Sequence, residues 1–314
     1  MSAVWIVWSS AFRRPRKRGT PNKAVTSHPY SKVARNSPLS HFPTETVDRF
    51  AIREHPKGFP LMHQKWGKLL FMHWRVDEAE LRRLIPSQLS IDTFDGSAWI
   101  GVVPFTMWGI RASFLPPIPG TSAFHELNVR TYVHYRGVPG VWFFSLDATH
   151  SLAIWGARTF YHLPYFKAQM ELAEAGKTVD YSSRRTDDLS YAKFFSDDKS
   201  GFGGQLGATA GTFPNAQLKV NWSIGAPLPA AAPESLEFFL TERYCLYSYD
   251  QGRLYRCRIF HEPWPLQTAK LNSLDSTMIE SLGLKTPGGD SVLHYAEEIA
   301  VDIWGLKRVS EARA

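Results

Sequence analysis

The run Phe124-His125-Glu126-Leu127-Asn128-Val129-Arg130-Thr131-Tyr132-Val133-His134-Tyr135 contains neither proline nor glycine and is rich in β-branched and aromatic residues. Such a run reads as a long strand. Successive side chains of a strand point to opposite sides. Phe124, Glu126, Asn128, Arg130, Tyr132 and His134 therefore share one face. His125, Leu127, Val129, Thr131, Val133 and Tyr135 share the other, which suits a core. The polar face has two readings. It meets solvent, as in many antiparallel sheets, or it lines an enclosed interior in which Glu126 and Arg130 face a ligand.

Further strand signals surround this run. Lys68–Arg75 reads as a strand, and Asp77 then caps a short helix that reaches Leu84 and ends at Pro86. Leu89–Phe94 and Ala98–Met107 flank Asp95-Gly96, a hairpin turn signal. Residues 136–140 turn the long strand into Val141–Ala148. From Ser151 the period changes, and Leu152, Trp155, Gly156, Thr159 and Phe160 form a helix face that Pro164 ends. Lys167–Leu172 and Thr178–Arg185 flank Ala175-Gly176 as a further hairpin. Residues 186–215 read as a long loop, Gln217–Ile224 as a strand and Pro233–Thr241 as a short helix. Tyr244–Tyr249 and Arg253–His261 make a hairpin, Leu274–Leu282 a helix, and 292–309 closing strands. The expectation is a mainly β chain with a few short helices (α+β), in a barrel or sandwich.

Charge is unevenly spread. Residues 1–60 hold eleven Lys/Arg against three acids, while the remainder holds 25 basic and 26 acidic residues. The basicity belongs to a tail. Its Pro and Ser content, without an apolar period, reads as a disordered extension over 1–60, followed by one domain over 61–314. The alternative is that Arg13-Arg14-Pro15-Arg16-Lys17-Arg18 contacts nucleic acid or an anionic membrane, the barrel being a scaffold. The near-neutral body argues against a specific nucleic-acid partner. No apolar run is long enough for a membrane-spanning helix. Two cysteines make no disulfide framework, so a reducing cytoplasm is the default setting.

Several familiar motifs fail. His125-Glu126-Leu127-Asn128-Val129 lacks the second His of the metalloprotease helix. Gly201-Phe202-Gly203-Gly204-Gln205-Leu206 lacks the third Gly of a dinucleotide loop. There is no Walker A loop and no Gly-x-Ser-x-Gly elbow. The eleven His are scattered without metal-ligand spacing. No metal and no cofactor is implied.

What remains is a set of motifs in order. Arg75-Val76-Asp77 through Leu84-Ile85-Pro86 comes first, then the long strand. Leu163-Pro164-Tyr165, Glu242-Arg243-Tyr244 and His261-Glu262-Pro263-Trp264-Pro265 follow. Together, over about Trp66 to Val309, they resemble the YqjF-like family of uncharacterised proteins. That family is similar, distantly, to the acetoacetate decarboxylase-like superfamily. The resemblance implies an acetoacetate decarboxylase-like β-barrel enclosing a small cavity. In the decarboxylase a lysine forms a Schiff base with a β-keto acid, and a second lysine beside it depresses its pKa. That pair follows a proline, shortly after an Arg-Glu pair on a helix. Here Pro164 is followed by Tyr165 and Phe166, so both lysines are absent. Arg158 matches the Arg, Thr159 replaces the Glu, and Glu126 matches the glutamate on the long strand. Lys167 is the nearby amine, and no activating neighbour is visible for it.

The resemblance, with these departures, implies a small-molecule cavity protein, a lyase or hydratase on a keto acid or related enolisable compound, working without an imine. Glu126 is the expected base or orienting carboxylate, Arg130 and Arg158 the anion grips, and Tyr165 or His261 the proton donor. Asn128, Arg243 and Trp264 complete the expected ligand-binding set. Blander roles stand beside these. Glu126 and Arg130 form a surface pair, Arg158 pairs with a neighbouring acid, Arg243 is a helix C-terminal cation, His261 is a packed structural ring, and Tyr165 plugs the pocket mouth. Alternatives for the whole are a non-catalytic metabolite-binding domain and the scaffold with a basic tail. The partner expected is a small polar or keto-acid-like ligand, and self-association into a homo-oligomer is left open. Asp250-Gln251-Gly252 suits a three-residue hairpin loop. Cys245 would then face Cys257, both reduced.

Overall fold

The computed structural model describes residues 46–116, 123–187, 189–195, 202 and 216–309. The expected extension up to residue 45 and most of the 186–215 loop lie outside the described residues. Among the described residues thirteen strands join one sheet. They are β1 (Met62–Val76), β2 (Ser90–Ile91), β3 (Ala98–Ala112), β4 (Phe124–Tyr135), β5 (Val138–Ala148), β6 (Tyr165–Ala175), β7 (Thr178–Arg185), β8 (Gln217–Pro227), β9 (Cys245–Asp250), β10 (Arg253–Phe260), β11 (Leu266–Ser276), β12 (Val292–Ile303) and β13 (Lys307–Arg308). Helices α1 (Glu78–Arg82), α2 (Ser151–Tyr161) and α3 (Leu236–Thr241) interrupt them. The mainly β expectation holds.

The pairing closes on itself twice. One circuit runs β5-β6-β7-β8-β11-β12-β1-β3-β4 and returns to β5. A smaller one runs β5-β9-β10-β12-β1-β3-β4 and also returns to β5. Strands β12, β1, β3, β4 and β5 belong to both, so their two faces serve two interiors. Leu127, Val129 and Val133 of β4 enter the large apolar cluster with Leu70, Met72, Ile100, Val102, Phe144, Tyr181 and Trp222. This is the core of the first circuit. The other face of β4 is also buried: Glu126, Asn128, Arg130 and Tyr132 are each less than 9% exposed. Tyr132 packs with Trp99, Val141, Phe239 and Leu240, so α3 covers this end of the second circuit.

Local chemistry explains several elements. Asp77 caps α1 by accepting from the Ala79 amide at 2.8 Å, as expected. Arg136-Gly137 is a two-residue turn with both residues at positive φ. β5 therefore begins at Val138 rather than Val141. Gly140 sits within it because a Cβ there would meet the Tyr247 ring at 2.8 Å and the Cys245 carbonyl at 2.9 Å.

Five expectations change. The Asp95-Gly96 turn forms between Phe94 and Ser97, but β2 pairs with β4 and not with β3. The buried residues of α2 are Ile154, Gly156 and Tyr161. Of the stripe read from the sequence, Leu152, Trp155 and Thr159 are exposed, Phe160 is half-buried and Gly156 alone is buried. Leu274 to Ser276 finish strand β11, and only Glu280–Leu282 makes a helical turn. In the β9–β10 hairpin Asp250 pairs with Arg253, leaving a two-residue turn of Gln251 and Gly252, both at positive φ. Cys245 thus faces Arg258, and Cys257 faces Leu246. Both thiols are free and buried. Finally, residues 46–60, read as tail, pack on the sheet. Ile52 is buried, Arg49 bonds Asp92, and Arg258 donates to the carbonyls of Ile52 and Glu54.

Candidate active site

Glu126 and Tyr165 meet. Tyr165 opens β6 opposite Leu146 of β5, and Leu146 lies opposite Asn128 of β4. Paired residues share a face, so Tyr165 joins the polar face of β4. Its hydroxyl donates to Glu126 Oε2 at 2.7 Å. Burial pushes the Glu126 carboxyl up to about 8, helped by the charge of Asp147 and opposed by the Tyr165 hydroxyl. Burial, with the Glu126 carboxylate, pushes the phenol of Tyr165 well above its usual value. At neutral pH the pair holds a proton on the buried carboxyl, while Tyr165 itself is half-buried. Tyr181, from the first circuit, fixes the backbone beneath by donating to the Glu126 carbonyl at 2.9 Å.

Arg158 stands behind this pair, bonded to its backbone and to a neighbouring acid. Its Nε and Nη2 donate to the Tyr165 carbonyl, and Nη2 also to Asp187 at 2.6 Å. Asp187 in turn accepts from the Lys167 amide at 2.8 Å. The guanidinium therefore fixes the start of β6 and the placement of Tyr165. Lys167 is exposed.

Asn128 and Arg130 continue the face. Asn128 is 4% exposed, and its Oδ1 has no partner among the described residues. Arg130 lies over the rings of Phe71 and Tyr132 at 5.2 and 5.8 Å. Gly101 opposite is required, because a Cβ there would meet the His73 ring at 2.8 Å.

The other expected residues form a separate unit. Arg243 is sandwiched between Tyr132 and Phe239 at 4.6 and 4.4 Å and donates to Asp92 at 2.7 Å. Glu242 accepts from the Trp264 amide at 3.0 Å and from the Tyr244 hydroxyl. His261 stacks on Tyr244 with centroids 4.5 Å apart. Both its ring nitrogens lie by carbonyls, those of Glu262 and Arg243. Burial lowers its pKa. These contacts lock the proline-rich bend after β10. They deliver Trp264 against Phe71 at 5.1 Å, and Phe71 underlies Arg130. A groove of about 370 Å³ outside this bend is lined by Phe50, Arg53, Glu54, Tyr244, Phe260, His261, Glu262 and Pro263.

Sequence reasoning missed Asp92, the counter-charge of Arg243, and the buried pair Asp147–Arg185, joined at 3.0 and 2.7 Å. Partners 151 and 38 residues apart leave no local signal. It also missed Tyr181, whose place under Glu126 depends on the closing of the first circuit. Among the described residues no group of three or more His, Cys, Asp or Glu side chains is arranged to hold a metal ion. No helix among them is long and apolar enough to cross a membrane.

Comparison with known proteins follows the same lines. A solved structure of the enduracididine biosynthesis enzyme MppR complexed with pyruvate superposes with a TM-score of 0.52 at 11% identity, over 81% of this chain and 91% of that one. Acetoacetate decarboxylase from Legionella pneumophila superposes with a TM-score of 0.50 at 14% identity, over 87% and 98%. At such identities the likeness is one of fold. In sequence the chain is 42% identical over 255 residues to the uncharacterized protein YqjF of Bacillus subtilis (strain 168), covering 81% of this chain and 95% of that protein. The DUF2071 pattern, that of an uncharacterized conserved protein, matches residues 63–300. The chain belongs to the DUF2071 family and carries a fold like that of acetoacetate decarboxylase-like enzymes.

Proposed function

We propose that the smaller circuit is a β-barrel enclosing a small cavity, and that this cavity binds a keto acid or related enolisable compound for lyase or hydratase chemistry without an imine. The protein acts in the cytoplasm on this reading, in accord with its two free thiols. The observation that carries the proposal is the hydrogen bond of Tyr165 to Glu126. By the resemblance of the Leu163-Pro164-Tyr165 segment, Tyr165 corresponds to the lysine of the decarboxylase. A phenol cannot condense with a ketone, but its hydroxyl can polarise a carbonyl oxygen. Glu126 supplies the titratable proton: its carboxyl, pushed up to about 8, is protonated at neutral pH and able to donate and take back a proton near the working range. Arg130 grips the acid's carboxylate. Arg158 is a positioning residue, since it touches the Tyr165 backbone. The complex of MppR with pyruvate, on a fold of the same kind, is in keeping with a small oxo acid.

The test is exchange of α-hydrogens of small oxo acids for deuterium, followed by NMR. Wild type should catalyse exchange for at least one member of a panel. Glu126→Gln should lose it by roughly 10²–10⁴-fold, the usual share of a general acid or base. Borohydride added during turnover should leave no adduct. A stable adduct on Lys167, or a panel in which nothing binds, would sink the proposal.

A further inference from the structure

Arg130 differs from the other buried arginines. Arg243 and Arg185 each have a carboxylate within 2.7 Å. Arg130 is 8% exposed and, among the described residues, has no ion pair. Its Nε has no partner, and its Nη2 makes one long bond, 3.3 Å to the Leu240 carbonyl. A buried cation without a counter-charge is strongly unfavourable. Cation–π contact with Phe71 and Tyr132 offsets part of that cost and supplies no negative charge.

The place of the guanidinium is also fixed. The Leu240 carbonyl that it holds accepts from the Tyr132 hydroxyl at 2.7 Å as well. Arg130 is thereby tied to the Tyr132 end of β4, while Tyr165 binds Glu126 at the other. Four residues at a rise of roughly 3.3 Å put the backbones of Glu126 and Arg130 about 13 Å apart, and side chains on one strand face stand roughly parallel, so their polar ends keep about that spacing. A hydrogen bond of about 2.8 Å at each end leaves roughly 8 Å between a ligand's carboxylate oxygen and its carbonyl oxygen. In pyruvate and acetoacetate those oxygens are only a few bonds of about 1.5 Å apart.

We infer that the ligand is a chain-extended oxo acid, its carboxylate on Arg130 and its carbonyl several carbons away at the Glu126–Tyr165 pair. This rests on the interior being an acid-binding site, and it adds the spacing of the two groups. Half-buried Trp66 links the two ends: it meets Phe105, which pairs with Glu126, and Trp264, which meets the Phe71 ring beneath Arg130.

Calorimetric titration of pyruvate, acetoacetate, 4-oxopentanoate and 6-oxoheptanoate into wild type and Arg130→Met tests the inference. The 6-oxo acid should bind wild type at least about tenfold more tightly than acetoacetate, a factor of about 1.4 kcal/mol, and Arg130→Met should lose at least that factor. Thermal melts check that the variant folds; if it does not, the chain-length order in wild type decides alone. Equal or tighter binding of the short acids, or unchanged binding of the 6-oxo acid by a folded Arg130→Met, overturns the inference and leaves the acid site standing. Failure of every acid to bind wild type removes both.

Discussion

The two circuits share five strands; each has a paired buried charge, Asp147–Arg185 in the first and Arg243–Asp92 by the second, but the β4 face of the second also carries Glu126 and Arg130 with no such partner among the described residues. In the first, Asp147 and Arg185 are 0% and 3% exposed and hold each other through two bonds, with the guanidinium 3.6 Å above the Phe166 ring. In the second, Glu126 is buried against the neutral Tyr165 hydroxyl, Arg130 has no counter-charge among the described residues, and Asn128 Oδ1 and Trp264 Nε1 have no partner there. Charge satisfied within the chain serves the fold. Polar groups left unsatisfied inside a folded domain lower stability, which is a common property of sites shaped for a ligand. On the proposed reading, the same strands build a core on one face and a site on the other.

The largest expected effect comes from the satisfied side. Asp147→Ala strands Arg185 in the first circuit and should cost about 3–5 kcal/mol, read as a fall in the urea midpoint. A cost below about 1 kcal/mol would remove the contrast between the circuits.

The unsatisfied side should respond with the opposite sign. The Glu126 carboxyl ionises near 4.5 when unfolded and near 8 when folded. Below the first value both states hold the proton. Between the two, the unfolded chain has released it and the native chain has not, so this group lowers stability as pH rises. The slope is about 1.4 kcal/mol per pH unit. Glu126→Gln carries no such proton. It should be more stable than wild type by about 3 kcal/mol at pH 7, with the difference shrinking towards pH 4.5. A difference that does not change with pH would mean that the carboxyl is not buried as described.

How much of this contrast is legible in the sequence depends on range. The alternation of β4 names Glu126, Asn128 and Arg130 correctly as one face, because a two-residue period is local. It does not say whether that face meets water or an interior. The answer lies in two pairings, β5 with β9 and β10 with β12, that join distant parts of the chain. The resemblance brings Tyr165 to Glu126. It also assigns Arg158 to a ligand, because a guanidinium turning back on the Tyr165 carbonyl leaves no trace in composition. The face of α2 misleads for a related reason. Leu152 and Trp155 fall at helical spacing, but the sheet covers the side bearing Ile154 and Tyr161. Ile52 is hidden in a polar, proline-containing stretch whose anchor points, Asp92 and Arg258, come much later in the chain.

The smallest effect concerns strands that belong to the second circuit alone. The expected loop of the β9–β10 hairpin has three residues, and the structure instead puts both Gln251 and Gly252 at positive φ, 46° and 78°. That is the type I′ pattern, in which Asn-Gly is preferred because Asn tolerates the left-handed region better than Gln. Gln251→Asn should therefore stabilise the protein by about 0.5 kcal/mol, a fraction of the roughly 1–2 kcal/mol that the left-handed conformation costs an ordinary residue. In a three-residue loop Gln251 would adopt negative φ, and the same change would bring no gain. The turn is remote in sequence from Glu126, Arg130 and Tyr165, so the affinity for an oxo acid should not change. A shift in thermal midpoint of about a degree or two upward, with unaltered binding, would show that the second circuit can be stabilised at its edge without touching the groups it leaves unsatisfied. A loss of binding would tie the hairpin register to the site and blur the division between scaffold and site in this circuit.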